Sequence, residues 1–442
     1  MHNKYTRKMK TQSLLQFDDS PASVVEYNDI PAKLATFKSG LAALVHRWFR
    51  LTPSYGPDLV QTMLEKLEHR AGERVLDPFS GASTTSIECQ LLGIKCYGFE
   101  INPFLHWIGK TSMNWEPNCK ILSGALSEIN RNFKEMSKAS SVDDLAKFGH
   151  EIPPIHNPHR WWRNDVIIDL LHLRSIIDHV CSNDDGIRNF FRLALAGVLV
   201  PDLTNVTLGK LQLHFIDRST HEIDVISTFV RHASKMIEDL QAVQENSGDV
   251  RSEIFHVDST DIESIASSID PISCVITSPP YPNRYSYVWN TRPHLYFFDF
   301  IKQAKEASAL DLKTIGGTWG TATSILQKGV VAPINDAVDR VVSPVVHEIR
   351  QKDNLMANYV LKYFNLLAKQ ILELERLPQE NMRCAYVVGN SRTKEIYIET
   401  DVLLGRIFEE LDIGYETRLI DRIRRRNSGK DLHESIVYAW KK

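Results

Sequence analysis

The chain has 442 residues, a formal net charge of −3, 43% hydrophobic and 24% charged residues, the balance of a folded globular protein of two or three units rather than one that coats nucleic acid by bulk positive charge. Its longest apolar run, Leu193 to Val200, is far too short to span a bilayer, and the basic stretch Met1 to Lys10 has no apolar block behind it, so no membrane span or signal peptide is expected. Six cysteines without a C-x-x-C pair and 16 histidines without ligand spacing point to a reducing, cytoplasmic setting and no metal.

Residues 1–39, with prolines, acids and serines in weak pattern over 11–35, are expected to form an extended arm. The first strand, 74–79, runs into the turn Asp77-Pro78-Phe79-Ser80-Gly81 and the helix-opening residues Ser83, Thr84 and Thr85. Such a turn can cradle a small cofactor. A second strand, 95–101, carries Glu100 at its end, 19 residues beyond Gly81. In doubly wound sheets an acid about 20 residues past the glycine turn hydrogen-bonds a ribose. There is no G-x-G-x-x-G, so the expected cofactor has a ribose and no pyrophosphate.

About 135 residues then separate the second strand from the third. That is far more than a crossover needs, and it predicts a helical insertion forming a domain of its own. Helices are expected from Trp161 to Arg174, Phe190 to Val200 and Ile223 to Val243. The pair Trp161-Trp162 suits core packing better than base stacking, although Arg160 and Arg163 beside it keep nucleic-acid contact open.

The third strand, 252–259, ends at Asp258, which suits either an acceptor for an adenine amine or an N-cap for a helix starting near Thr260. The fourth, 272–278, runs into Ser278-Pro279-Pro280-Tyr281. The prolines lack N–H groups and stop the strand, leaving carbonyls free as acceptors. Ser278 Oγ and the Pro279 carbonyl suit the two protons of a base amine, and Tyr281 suits stacking on the base. Asn283, Arg284 and Tyr285 follow, either to contact the nucleotide or to order the loop. Beyond lie an irregular, glycine-bearing segment from Asp311 to Pro333, a long helix from about Ser343 to Leu377, and strands 382–390, 415–420 and 433–440. The last two read as a hairpin whose turn carries Arg422, Arg424, Arg425 and Arg426, with Arg418 and Lys430 nearby, a local phosphate-binding candidate.

Asp77 to Thr85, Gly98 to Pro103, Asp258-Ser259 and Thr277 to Tyr281 together resemble the S-adenosylmethionine-dependent amino-methyltransferases that modify cytosine N4 or adenine N6 in DNA. The resemblance covers roughly residues 40–112 and 250–442. It implies an α/β fold, a doubly wound, mostly parallel, seven-stranded Rossmann-like sheet, built here from 40–114 and 250–442, with 115–249 inserted as a candidate target-recognition region. It implies cofactor contacts from Asp77, Pro78, Phe79, Ser80, Gly81, Thr84, Thr85, Glu100, Ile101, Asn102, Asp258 and Ser259, with Thr52, Pro53 and Ser54 over the methionine end. It makes Ser278, Pro279, Pro280 and Tyr281 the catalytic loop, whose serine looks like the cytosine-N4 branch. Where the family pattern has glycine-any-glycine, this chain has Gly81-Ala82-Ser83. The expectation is thus a DNA methyltransferase acting on double-stranded DNA, paired with a restriction or defence nuclease. Adenine N6 is the alternative target, RNA a further rival substrate, and a non-catalytic DNA-binding subunit of the same fold the alternative of another class.

Overall fold

The computed structural model describes residues 26–29, 37–52, 54–208, 212–317, 321–424 and 432–442. Expectations for residues 1–25 and 30–36, Pro53, the 318–320 end of the glycine-bearing segment, Arg425, Arg426 and Lys430 lie outside the described residues.

In chain order the strands are β1 Glu26–Asp29, β2 Val75–Asp77, β3 Cys96–Glu100, β4 Val206–Leu208, β5 Leu213–Phe215, β6 Glu253–His256, β7 Ile272–Thr277, β8 Gln379–Gly389, β9 Ser391–Thr393, β10 Ile396–Ile398, β11 Tyr415–Arg424 and β12 His433–Lys441. Eight of them form the main sheet in the order β1-β11-β12-β8-β7-β2-β3-β6. Neighbours from β8 to β6 run parallel, while β12 is antiparallel to both β8 and β11. All seven expected strands are present, and the arm adds an eighth: Glu26–Asp29 pairs parallel with Leu419 to Arg422.

The pleat divides the core. Val75, Cys96, Cys274 and Ile276 point toward Leu59, Val60 and Met63 of helix α1 (Pro57–Lys66). Alternate residues Leu76 and Val275 point to the opposite core, with Val338, Val342, Val360, Phe364 and Leu404. All six cysteines are free thiols, and Cys96 and Cys274 are buried in their strands.

Helices α2 (Thr84–Leu91) and α3 (Pro103–Ser112) follow β2 and β3. The insertion comprises α4 (Cys119–Glu135), the single turn α5 (Pro158–Trp161), α6 (Asn164–Val180), α7 (Asp185–Leu203), the hairpin β4–β5 and α8 (Val225–Asn246). Its buried side chains form one cluster with Phe104, Leu105 and Ile108 of α3 and with Leu295 and Phe297 of α9 (Tyr287–Phe297). The insertion therefore packs as an extension of the helical layer over the sheet, not around a sealed core. Trp161 and Trp162 are 3% and 0% exposed, so both are packing residues and neither ring is open to stack on a base.

Two expectations after the Ser-Pro-Pro-Tyr loop are corrected. The 311–333 segment is not irregular throughout: α10 (Ala304–Lys313) runs into it and α11 (Thr321–Lys328) lies within it, anchored by buried Leu326. The single helix over 343–377 is two, α12 (Asp336–Arg350) and α13 (Asn354–Glu373). Asp353 adopts an extended conformation between them, and its Oδ1 accepts from Met356 N at 3.1 Å, capping the new helix. The last helix, α14 (Thr400–Glu410), leads into the final hairpin.

Candidate active site

Parallel strands β2, β3 and β7 lie side by side, so the loops at their carboxyl ends share one rim, where open α/β sheets bind ligands. Asp77 and Thr277 end two of these strands, and Thr277 Oγ1 donates to Asp77 Oδ1 at 2.5 Å. Phe79 N donates to the same oxygen at 3.0 Å. Burial pushes the Asp77 carboxyl up to about 6 against the pull of these bonds. Asp77 thus ties the glycine turn to the Ser-Pro-Pro-Tyr strand from below, inside the protein.

Glu100, at the end of β3, receives Gly81 N on Oε2 at 2.8 Å and Asn102 N on Oε1 at 2.7 Å. Enclosure raises its carboxyl to about 7 despite both bonds. Asn102 in turn caps α3, accepting from Phe104 N at 3.1 Å, while its amide donates to Thr291 Oγ1 at 3.0 Å. Pro103 at the first helical position fits the same start. The Glu-Ile-Asn-Pro run is therefore a strand end, an acid lining a cleft and a helix cap in four residues.

Gly81 has φ +52, and a Cβ there would stand 3.3 Å from Leu51 Cδ2, so the glycine leaves room that a side chain would fill. Ser83, in place of the family's second glycine, also takes a left-handed conformation, φ 66, and makes no capping bond. Its side chain turns toward α3, where Gly109 has none: a Cβ on Gly109 would lie 2.1 Å from Ser83 Oγ. Thr85 meets Tyr55 Oη at 2.5 Å, fixing the Leu51 to Asp58 segment beside the turn.

A cleft of about 910 Å³, part of it open to solvent, joins these parts. Ser54, Pro78, Phe79, Ser80, Gly81, Thr84, Glu100, Ile101, Asn102, Asp258, Ser259, Ser278 and Pro280 all line it. Asp77 and Thr85 sit behind the wall, buried. Thr52 is not among the lining residues; its carbonyl accepts from the Tyr285 hydroxyl. Asp258 Oδ1 takes Thr260 N and Oγ1, both at 2.9 Å, closing a turn; no α-helix starts there, so the N-cap alternative is not realised. The other carboxylate oxygen has no partner among the described residues.

At the Ser-Pro-Pro-Tyr corner, Ser278 Oγ makes no hydrogen bond among the described residues, and Pro279 is buried. Tyr281 is buried and donates its hydroxyl to Glu434 of β12. Asn283 Oδ1 accepts from Tyr285 N at 3.1 Å, so it orders the loop. Arg284, exposed with φ 61, donates its backbone N–H to Tyr359 Oη at 3.0 Å.

The basic hairpin is different from expectation. Strand β11 extends to Arg424, beyond the expected end at residue 420. Arg422 points inward, donating from Nε to buried Asp401 at 2.9 Å, where Ser435 also donates. It is an internal ion pair and not a phosphate contact.

Sequence reading missed Tyr287, Val288, Leu105, Lys313, Thr314 and Ile315 among the lining residues. Tyr287 and Val288 open the helix after the loop and had a local signal in the aromatic run Tyr285 to Trp289. The Lys313 to Ile315 wall comes from an unrelated turn and had none. Among the described residues, no group of three His, Cys, Asp or Glu is placed to hold a metal, and no helix is long and apolar enough to cross a membrane.

A family described as DNA methylase matches residues 52–110, the stretch holding the glycine turn, Asp77, Glu100 and Asn102. The chain is 23% identical to the Type II methyltransferase M.MvaI of Kocuria varians over 88% of this chain and 86% of that one. It is 22% identical to M.BsoBI of Geobacillus stearothermophilus, covering 98% of this chain and 90% of that one. A solved rRNA methyltransferase from Streptomyces viridochromogenes overlaps 91% of this chain and 92% of its own at 11% identity, with a TM-score of 0.29, too low to bear on fold or function. The family match and the long relatives run through the residues that meet in the cleft, and together they support an amino-methyltransferase of the N4/N6 class.

Proposed function

We propose that the chain uses S-adenosylmethionine to methylate the exocyclic amine of a base flipped out of double-stranded DNA, with cytosine N4 as the target. In this reading it is the modifying member of a restriction or defence pair, and residues 115–249 contribute to target recognition. The observation that carries the proposal is the meeting of Ser278 and Pro280 with Glu100 and the Gly81 turn in one cleft.

The residues present suit the cofactor. The space at Gly81 admits close backbone approach, Glu100 is a carboxylate already oriented by two amides, and Asp258 keeps one oxygen for an amine. Glu100 would hold the ribose hydroxyls, Asp258 and Ser259 the adenine, and Thr52, Ser54 and Tyr55 the methionine end. When bound, S-adenosylmethionine supplies an electrophilic methyl group.

A base amine is a weak nucleophile because its lone pair is delocalised into the ring. Ser278 Oγ and the Pro279 carbonyl accept its two protons and turn the lone pair toward the cofactor end of the cleft. Tyr281, buried with its hydroxyl fixed by Glu434, backs this corner, and in this reading its ring face is uncovered for stacking only as the base enters. The amine gives up its extra proton to solvent after attack, so no strong base is required.

Incubating the protein with duplex DNA and S-adenosylmethionine, then digesting to nucleosides for mass spectrometry, tests the reading. N4-methylcytosine is expected. Methyladenine without methylcytosine overturns the choice of base, methylation of transfer RNA in place of duplex overturns the DNA assignment, and no methylation of either supports the non-catalytic alternative.

A further inference from the structure

Beside the cleft lies a line of side chains that the chemistry does not use. Arg160 Cζ stands 3.9 Å from the centre of the Phe215 ring, and Phe215 meets Trp161 edge-on at 5.0 Å. Arg292 Cζ stands 4.8 Å from the centre of Trp161 on one side and 3.5 Å from that of Trp289 on the other. The line joins α5 and the β4–β5 hairpin of the insertion to α9, whose first residues Tyr287 and Val288 line the cleft. At 1.5 Å of rise per residue, Trp289 and Arg292 begin within about one helical turn of the cleft.

The charges of Arg160 and Arg292 are met differently from those of most arginines in the insertion. Within the insertion Arg131, Arg163, Arg174, Arg188 and Arg192 each meet a carboxylate, Glu128, Asp165, Asp299, Asp185 and Asp178 in turn, while Arg218 donates to backbone carbonyls. Arg160 and Arg292 have no carboxylate partner among the described residues and rest on aromatic faces instead. Stacking fixes the plane of a guanidinium but leaves its charge and its donor fork unmatched. Arg292 Nε is buried with no acceptor among the described residues. Burial also lowers the Arg292 guanidinium to about 10, a sign of uncompensated charge. Trp289 is 39% and Phe215 38% exposed.

We infer that this arginine–aromatic line holds the phosphate backbone of duplex DNA beside the flipped base, with Arg160 and Arg292 as the phosphate contacts and Trp289 as an apolar wall against the nucleotide. The inference rests on the proposed action on DNA and names the surface that serves it. Duplex DNA fits because its phosphates supply acceptors for planar donor forks, and because a protein of net charge −3 needs a local cationic grip. Arg160 and Arg292 take the place expected of Arg422, which is occupied by Asp401.

Fluorescence anisotropy with a labelled duplex, repeated over a salt series, tests it in R160A, W289A and R292A, with S-adenosylmethionine affinity and thermal unfolding measured alongside. Each arginine variant is expected to weaken duplex binding roughly tenfold or more and to lower the salt slope by about one, with cofactor affinity unchanged. W289A is expected to weaken binding roughly fivefold or more and to be non-additive with R292A, because the indole supports that guanidinium. Duplex binding unchanged in R160A and W289A, both surface residues, overturns the inference even if R292A unfolds the protein, and leaves the methyltransferase reading standing. Variants that lose thermal stability but not duplex affinity mark the line as packing only, which also overturns it. A parent protein that transfers methyl groups but does not bind duplex overturns both readings together.

Discussion

The turn after β2 and the corner after β7 sit at the ends of adjacent parallel strands and face the same cleft, yet they are built in opposite ways. In the first, the backbone donors are matched, Ser80 N to Phe99 O at 3.0 Å, Gly81 N to Glu100 at 2.8 Å and Ser83 N to Ser80 O at 2.6 Å, although the buried Ser83 Oγ has no partner among the described residues. In the second, Ser278 Oγ has no partner among the described residues, and two prolines remove N–H donors that could have satisfied the nearby acceptors. The corner is held from its far side, where Asn283 N donates to Tyr281 O at 2.8 Å and the Tyr281 hydroxyl reaches Glu434. A turn that binds a cofactor gains from rigidity, whereas a corner that must hold amine protons needs acceptors left open on a fixed frame.

The sharpest way to break this contrast is to remove the open acceptor. Ser278→Ala is expected to lower turnover on the order of 10²-fold or more while leaving cofactor affinity and thermal stability close to the parent's, because the hydroxyl supports nothing in the fold. Tyr281→Ala should lose turnover similarly. Single-turnover methyl transfer measures both, and parent-like rates would move the chemistry away from this corner.

Glu100 probes the matched turn. Its carboxyl is raised from 4.5 to about 7 by enclosure, and that of Asp77 from 3.8 to about 6. The folded state therefore holds these protons more tightly than the unfolded one. Their contribution to stability is full below about pH 4 and is lost as pH rises through about 6 to 7. Ligand binding runs the other way: the ionised Glu100 is the better acceptor for ribose hydroxyls, so affinity for S-adenosylmethionine should rise between pH 6 and pH 8. Glu100→Gln is expected to weaken cofactor binding roughly tenfold or more and to flatten that rise. Calorimetric titration across the pH range checks both, and a parent-like slope in the variant assigns the pH dependence elsewhere.

The contrast between the two regions also marks what the chain's pattern revealed. Strand ends such as Asp77, Glu100 and Thr277 were legible because an apolar run stopping at a polar residue is a local signal, and adjacent parallel strands necessarily bring such ends to one rim. The break at Asp353 was masked by apolar periodicity that continues through both helices, although a short acid ahead of a helical run is a capping signal. The fate of Arg422 was not legible, since its partner Asp401 lies 21 residues away on α14 and charge clustering alone does not reveal a buried acid. The Lys313 to Ile315 wall and the arginine line across α5, β5 and α9 depend on tertiary contacts between segments with no shared period.

The smallest effect concerns Ser83, where this chain departs from the glycine-any-glycine pattern. The serine is accommodated because Gly109 on α3 leaves space: a Cβ added there would lie 2.1 Å from Ser83 Oγ and 3.2 Å from Ser83 Cβ, but 3.4 Å from Ile254, an ordinary contact. Gly109→Ala should therefore cost about 1–3 kcal/mol in the parent by overpacking. With Ser83→Gly in place the same alanine meets only Ile254, and its better helix propensity should make it close to neutral. Chemical denaturation of the four proteins gives the coupling directly, expected at about 1–2 kcal/mol. Additive single effects would mean that Ser83 swings aside when Gly109 is filled, and that the matched turn is less rigid than its hydrogen bonds indicate.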